Sequence, residues 1–255
     1  MHFLQRRWGI PSYNAVPSSQ SMKCIAVDLG FLPYREALVL QEKLCALRAE
    51  NKIEDHLLLL EHTPVITLGR KATPDMFRIS QIEIRKKGIE IIETDRGGKI
   101  TYHGPGQLVG YPILDFTRLM AMQRLSIDKY MTMLRRMLLA VLVEFGITAW
   151  QEDGGVWVSE DLKIGATGVA LKSFSAMKVT KHGFALDVKT NLEHFKTIAP
   201  CGYLHADATS MENLLQKDIK MSVIKQAILN RFGEIFGHAL EIQRKEDIMK
   251  VLAPT

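Results

Sequence analysis

The chain is poor in cysteine, and what it has is spaced for neither a metal nor a disulfide framework. Three cysteines, Cys24, Cys45 and Cys201, stand among 255 residues with no CxxC pair. The odd count and open spacing exclude a disulfide scaffold and a zinc site, and they suit a reducing compartment. No apolar run reaches the roughly 18 residues needed to cross a bilayer; the longest, near Met137 to Val143, is about half that. No membrane association is therefore expected. GxGxxG and the Walker lysine motif are both missing, so the common nucleotide-binding loops are excluded. No Lys/Arg cluster is interleaved with aromatics, and no nucleic-acid groove is expected. Charge of one sign is scarce as well: 33 basic and 28 acidic residues leave a net +5. Such a mild surplus fits an acidic protein partner. The first 21 residues contain two arginines, four serines and no Asp or Glu. That composition suits an extension or short leader ahead of Met22, and it leaves a mitochondrial presequence as the alternative to a cytoplasmic protein.

What remains is ordinary globular material, 47% hydrophobic and 24% charged, long enough to bury a substantial core. Patterning begins at Lys23. Cys24 to Leu29 alternates like a strand, and Ala37, Leu40, Leu44 and Leu47 recur at helical spacing between Pro33 and Asn51. His56 to Glu61 and Val65 to Leu68 read as adjacent strands joined by a turn at Thr63-Pro64. A short helix over Ser80 to Lys87 stops at Gly88, and a strand follows over Ile89 to Glu93. Leu108 to Leu114 reads as a buried strand. Ser126 to Phe145 reads as a strong helix, with Leu134, Leu138, Val141 and Leu142 inward and Gly146 as its stop. Strands are expected around Val156 to Val158, Lys163 to Val169 and Lys178 to Val188, and a helix over Val223 to Phe232. Without a regular βαβ rhythm, the expected fold is a mixed-sheet α/β (α+β) domain over residues 22–255, more helical from about 210.

Three stretches stand apart. Arg96-Gly97-Gly98-Lys99-Ile100-Thr101-Tyr102-His103-Gly104-Pro105-Gly106-Gln107 carries four glycines and a proline between Gly97 and Gln107, which predicts little regular structure. Its backbone N–H groups could approach a carbonyl or oxyanion; a surface hairpin is the alternative. Lys163-Ile164-Gly165-Ala166-Thr167-Gly168 supplies a cation. Ile198-Ala199-Pro200-Cys201-Gly202-Tyr203 sets a thiol on a backbone-fixed bend. A thiolate is the reactive form of cysteine and a nearby ammonium stabilises it, so Cys201 and Lys163 form a candidate dyad for acyl transfer. Lys163 could then take a proton from an attacking amine. If the stretches do not meet, Cys201 is one small core residue among many. His182 is either a structural residue or the partner in a competing Cys–His arrangement. Tyr102 and Trp157 belong to the core or to an acyl pocket, and Cys24 and Cys45 read as packing.

RGGKITYHGPGQLVGYPILDF (Arg96 to Phe116), KIGATG (Lys163 to Gly168), HGFALDV (His182 to Val188) and IAPCGY (Ile198 to Tyr203) together resemble the signature blocks of the lipoyl(octanoyl) transferases, in order and with fitting spacing. The similarity runs from about Lys23 to Met211. It implies a fold related to biotin protein ligase and lipoate–protein ligase catalytic domains. It also implies a reaction in which octanoyl passes from acyl carrier protein to one lysine of a lipoyl domain, either of a 2-oxoacid dehydrogenase E2 subunit or of glycine cleavage H protein. By the same resemblance Cys201 forms a thioester and Lys163 activates it. Arg96, Gly97, Gly98, Lys99, Ile100, Thr101, Tyr102, His103, Ala166, Thr167, Gly168, Gly183, Phe184 and Ala185 map onto its substrate-contacting positions. Beside these, His182 is expected as a supporting residue and the chain is expected to act as a monomer. No cofactor and no metal is implied, because thioester exchange is nearly neutral and amide formation from a thioester is downhill.

Three positions depart from the resemblance: Thr167 where Leu or Ile is usual, Phe184 where Leu is common and Asp187 where Asn is common. The first two bear on pocket shape, the third on a hydrogen bond near the site. The rival readings are an ATP-dependent lipoate or octanoate ligase on the same fold, and a non-catalytic protein that binds lipoyl domains or acyl chains.

Overall fold

The computed structural model describes residues 22–199 and 205–250. Cys201, with its neighbours from Pro200 to Leu204, and the expected leader over 1–21 lie outside the described residues.

A large mixed sheet is built from β1 (Met22–Phe31), β2 (Asp55–Glu61), β6 (Gln107–Ile113), β7 (Trp150–Glu152), β8 (Gly155–Trp157), β9 (Leu162–Ser173), β10 (Lys178–Asp187), β11 (Asp207–Ala208) and β12 (His238–Gln243). Its order is β12-β1-β2-β6-β10-β9-β8-β7, with β11 beside β9. β1 runs parallel to β2 and β12, and the ladder from β2 through β6, β10, β9, β8 and β7 is antiparallel. The mixed α/β class expected from the sequence is the class observed.

The DHLLLLE run of β2 does not alternate in polarity because both of its faces are covered. Leu57 and Leu59 enter the core under α4 (Ile127–Glu144) and α7 (Met221–Phe236), with Leu134, Leu138, Phe184 and Phe232. Leu58 and Leu60 enter the opposite core under α1 (Tyr34–Ala49), with Leu40, Leu44 and Ile113. Full burial of each such side chain is worth about 1.5–3 kcal/mol. In α1 the last inward place goes to Arg48, not to the expected Leu47, which is half-buried. Arg48 Nε donates to Asp55 at 2.7 Å, so the inward cation is matched by an inward carboxylate.

A second, three-stranded sheet holds β3 (Val65–Leu68), with β4 (Glu90–Glu93) parallel on one side and β5 (Ile100–His103) antiparallel on the other. Here the expectation that β2 and β3 pair across a turn fails. His62 is fully buried, its Nδ1 2.8 Å from Leu32 O and its Nε2 2.7 Å from the Tyr111 hydroxyl. That anchor, followed by Pro64 with no N–H to donate, sends the chain out of the large sheet. The small sheet has its own core, where Ile66, Ile84, Ile100 and Tyr102 meet Phe195 and Ile198.

The glycine-rich stretch is also more regular than its composition predicts. Ile100–His103 pairs with β3, so irregular backbone is confined to the Arg96 to Lys99 loop and to the Gly104-Pro105-Gly106 turn that leads back to the large sheet. A helix over Phe116–Gln123, α3, was not signalled by periodicity; Asp115 caps it by accepting from Arg118 N. After Gly237, β12 returns beside β1, so the helical C-terminal segment closes one edge of the large sheet.

Candidate active site

β9 and β10 lie directly opposite one another, with Gly183 facing Gly168 and Ala185 facing Ala166. Side chains two apart along a strand share a face, so these four smallest residues form one floor. The loop from Arg96 to Lys99 crosses above it: Gly97 N donates to Val169 O at 2.8 Å. A Cβ on Gly168 would stand 3.0 Å from Gly97 O, so the approach depends on missing side chains. Between floor, loop and one face of α4 lies a cleft of about 760 Å³.

Of the expected substrate-contacting residues, Arg96, Gly97, Gly98, Lys99, Ile100, Thr101, His103, Ala166, Thr167, Gly168, Gly183, Phe184 and Ala185 all border this cleft, as do Lys163 and His182. Tyr102 does not. Strand alternation turns it from Thr101 into the small core, where its hydroxyl meets His194 Nδ1 at 2.8 Å. Trp157 is buried and donates its indole N–H to Glu152 O. Phe184 packs its ring into the main core over Gly110, where a Cβ would lie 2.0 Å from the ring. Thr167 donates to Gly154 O at 3.2 Å and accepts from Arg135 at 3.3 Å, so a polar pair occupies a place where an aliphatic residue is usual in the resemblance.

Lys163 lies at one end of the floor, buried, with its Nζ 5.8 Å from the centre of the Trp157 ring. Its backbone is sandwiched: β8 pairs on one side at Trp157, and Ala208 of β11 pairs on the other. Thr209 N donates to Lys163 O at 2.8 Å. The chain that leaves the Ile198–Tyr203 block therefore runs beside this lysine from residue 207 onward. Gly155 makes room for the amine, since a Cβ there would stand 2.9 Å from Lys163 Cε.

His182 lies at the other end, opposite Val169 and six residues beyond Lys163 along β9, roughly 20 Å away at about 3.3 Å per residue. Its φ is +60°. Its N–H donates to Gln41 Oε1 at 2.8 Å, its Nε2 lies 2.7 Å from Asp95 Oδ1, and its Nδ1 lies 3.4 Å from the Tyr34 hydroxyl. Burial holds the imidazole below its usual pKa, with Asp95 pulling the other way. Lys181 bonds the same Asp95 at 2.8 Å. These contacts brace the end of the cleft.

The two described cysteines are packing residues, as expected. Burial pushes Cys45 up to about 12 and Cys24 well above the usual thiol range, which leaves neither as a nucleophile near neutrality.

Motif reading missed the cleft residues Tyr34, Tyr111, Arg70, Lys71, Met131 and Arg135. Tyr111 stands within the quoted Arg96 to Phe116 block but carried no signal of its own; the other five lie outside the blocks, and only tertiary packing brings them in. Arg135 is held from three elements, by Thr132, Gln151 and Thr167. Six cations border the cleft (Arg70, Lys71, Arg96, Lys99, Arg135 and Lys163) against Asp128 and Asp153, a balance that attracts acidic partners. No described helix is long and apolar enough to cross a membrane.

Comparison with known proteins gives a consistent pattern. Residues 33–233 match the family model described as the lipoyl protein ligase A/B catalytic domain. The octanoyltransferase of Caldicellulosiruptor bescii is 43% identical over 234 residues, covering 90% of this chain and 99% of its own length. That of Desulforamulus reducens is 38% identical, covering 87% and 94%. Among solved structures, a bi-partite lipoate protein ligase from Thermoplasma acidophilum superposes with a TM-score of 0.69 at 14% identity, over 91% of this chain and 92% of that one. A lipoate-protein ligase A bound with ATP gives 0.68 at 13% identity, over 91% and 94%. At such identities the structural likeness speaks for the fold alone.

Proposed function

Because the chain belongs to the lipoyl protein ligase A/B catalytic-domain family, and within it to the octanoyltransferases that act in protein lipoylation, we propose that it takes octanoyl from octanoyl-acyl carrier protein onto Cys201 and passes it to one lysine of a lipoyl domain. The observation that carries this reading is the placement of Lys163. Its side chain borders the cleft, and its backbone is bonded to the strand that follows the Cys201 block.

In the first half-reaction the Cys201 thiolate attacks the donor thioester carbonyl, and the carrier's thiolate leaves and takes a proton from the Lys163 ammonium, which becomes a neutral amine. The positive charge of Lys163 stabilises the cysteine thiolate before attack. In the second half-reaction the acceptor lysine, as a free amine, attacks the Cys201 thioester. Its carbon–nitrogen bond forms, the carbon–sulfur bond breaks, and Lys163 receives the proton that the amine loses. Neither step consumes ATP. The alanine and glycine floor accepts a straight chain without a side chain in its way, and the surplus of cations at the cleft suits acidic carrier and lipoyl domains docking in turn. A reducing cytoplasm fits the buried thiols of Cys24 and Cys45.

Incubation with octanoyl-acyl carrier protein, followed by intact-mass measurement, tests this directly. The expected result is an octanoyl adduct on the wild type that is absent from Cys201→Ser and that transfers to an added lipoyl domain. An undiminished adduct on Cys201→Ser sinks the mechanism. Turnover of free octanoate with ATP, and none from the carrier, would instead assign the chain to ligation.

A further inference from the structure

The turn between the two sheets brings together three side chains that the reaction above does not use. Gly104 and Gly106 make the turn: Gly106 has φ +83°, and a Cβ on it would lie 2.3 Å from Lys189 O. Across this turn His103, the last residue of β5, meets Gln107, the first of β6, with Nδ1 2.6 Å from Gln107 Oε1. Gln107 is the direct cross-strand partner of Asp187, and its Nε2 donates to Asp187 Oδ1 at 2.9 Å and to Tyr102 O at 3.1 Å.

This geometry sets hydrogen positions. Both acceptors around Gln107 lie at its amide nitrogen, so its amide oxygen must face His103. An oxygen can only accept, so His103 Nδ1 carries the proton and Nε2 keeps a bare lone pair. We propose that Asp187 and Gln107 are positioning residues that lock His103, a cleft-lining ring, in the tautomer with an unprotonated Nε2, and that this nitrogen orients the attacking amine by accepting one of its N–H bonds. The part played toward the amine rests on the transfer reading above; the tautomer does not.

The surroundings agree. Burial keeps His103 neutral, with the charge of Arg96 and the rings of His62 and His182 acting the same way, while Tyr34 stacks against it. Around Asp187 the polar and charged neighbours are Gln107 on β6, Thr190 just beyond β10, Lys163 on β9 and the Tyr102 phenol on β5. Burial pushes its carboxyl up to about 7, against the pull of Gln107, Thr190 and Lys163. Below that pH the charge-assisted bond to Gln107 becomes an ordinary, weaker one.

Two variants separate the effects. Asp187→Asn keeps an acceptor for Gln107 and removes the ionisation; Asp187→Leu removes both. Ring-labelled histidine observed by nitrogen NMR, with His103 assigned against His103→Gln, reads the tautomer without any substrate. The wild type and the Asn variant are expected to show Nδ1 protonated, and the Leu variant a mixture. In octanoyl transfer the wild type is expected to show an inflection of kcat/KM near pH 7 that the Asn variant lacks. The Leu variant is expected to fall at least about tenfold below the Asn variant. A wild-type tautomer in the Leu variant, or an inflection that persists in the Asn variant, overturns the proposal. Should the wild type take no octanoyl from the carrier, the functional reading falls while the NMR arm still decides the tautomer.

Discussion

Asp55 and Asp187 are both buried carboxylates of the same large sheet, yet their chemistry runs in opposite directions. Burial alone would raise both. Asp55, under the C-terminal strand, is overruled by hydrogen bonds from His238 at 3.0 Å and Arg48 at 2.7 Å, with Asp115 N adding a third at 2.9 Å, and it is held below the usual carboxylate range. Asp187, beside the cleft, has a neutral amide as its hydrogen-bonded partner, and burial wins. Depth is the same, so the charge of the partners decides. One carboxylate is part of a joint that holds the chain together, and the other is a group left able to titrate at working pH.

The sharpest way to disturb the cleft side is Lys163→Met. Transfer is expected to fall by roughly 10²–10⁴-fold, as for loss of a positioned acid–base group. The pH profile of Cys201 alkylation should move upward, and an unmoved profile would show that the lysine does not activate the thiol. The charge near Asp187 disappears as well, so its carboxyl should rise further.

On the joint side, Asp55→Asn takes from Arg48 its closer carboxylate and leaves Asp115, at 3.5 Å, as the other. A loss of about 1.5–3 kcal/mol of unfolding free energy at pH 7 is expected in a denaturant titration, as for hydrogen bonds to charged groups. The sign follows from a lowered folded pKa: the contribution is complete above the unfolded value of about 4 and disappears as pH falls through the folded one. The gap between variant and wild type should therefore close in acid.

Asp187→Asn is expected to do the reverse. A raised folded pKa costs stability as pH climbs from about 4 to about 7. The wild type should lose stability over that range by up to a few kcal/mol, while the variant stays flat; parallel curves would break the contrast with Asp55.

The smallest effect should come from Gly155→Ala. The new Cβ would lie 2.9 Å from Lys163 Cε, which can swing away, and 2.6 Å from the nitrogen of the buried Trp157 indole, which must shift against its bond to Glu152 O. Transfer is expected to drop about tenfold, or about 1.4 kcal/mol in the barrier, with a small fall in melting temperature.

Local signals found many of the elements that carry the cleft. The helical spacing of α1 and α4 was legible because each helix faces a core at a fixed period, and the strands β2 and β6 were legible as unbroken apolar runs because both of their faces are buried. The four motif blocks were legible because glycine, lysine and cysteine carry their chemistry in their type. Less visible were the parting of β2 from β3, the inward turn of Tyr102 and the ion-paired setting of His182. Each depends on partners far away in sequence: His62 on Tyr111, Tyr102 on His194, His182 on Asp95 and Gln41.

By itself, the sequence determined that this is a mixed α/β acyltransferase of recognisable family, because composition, periodicity and motif order are properties of the chain. Only tertiary structure decided which of its polar residues are braces and which border the cleft. Lys163 sits at one end of the alanine–glycine floor and His182 at the other because β9 and β10 share one register. Asp187 titrates near neutrality, and Asp55 does not, because solvent exclusion and neighbouring charge arise only when distant segments pack.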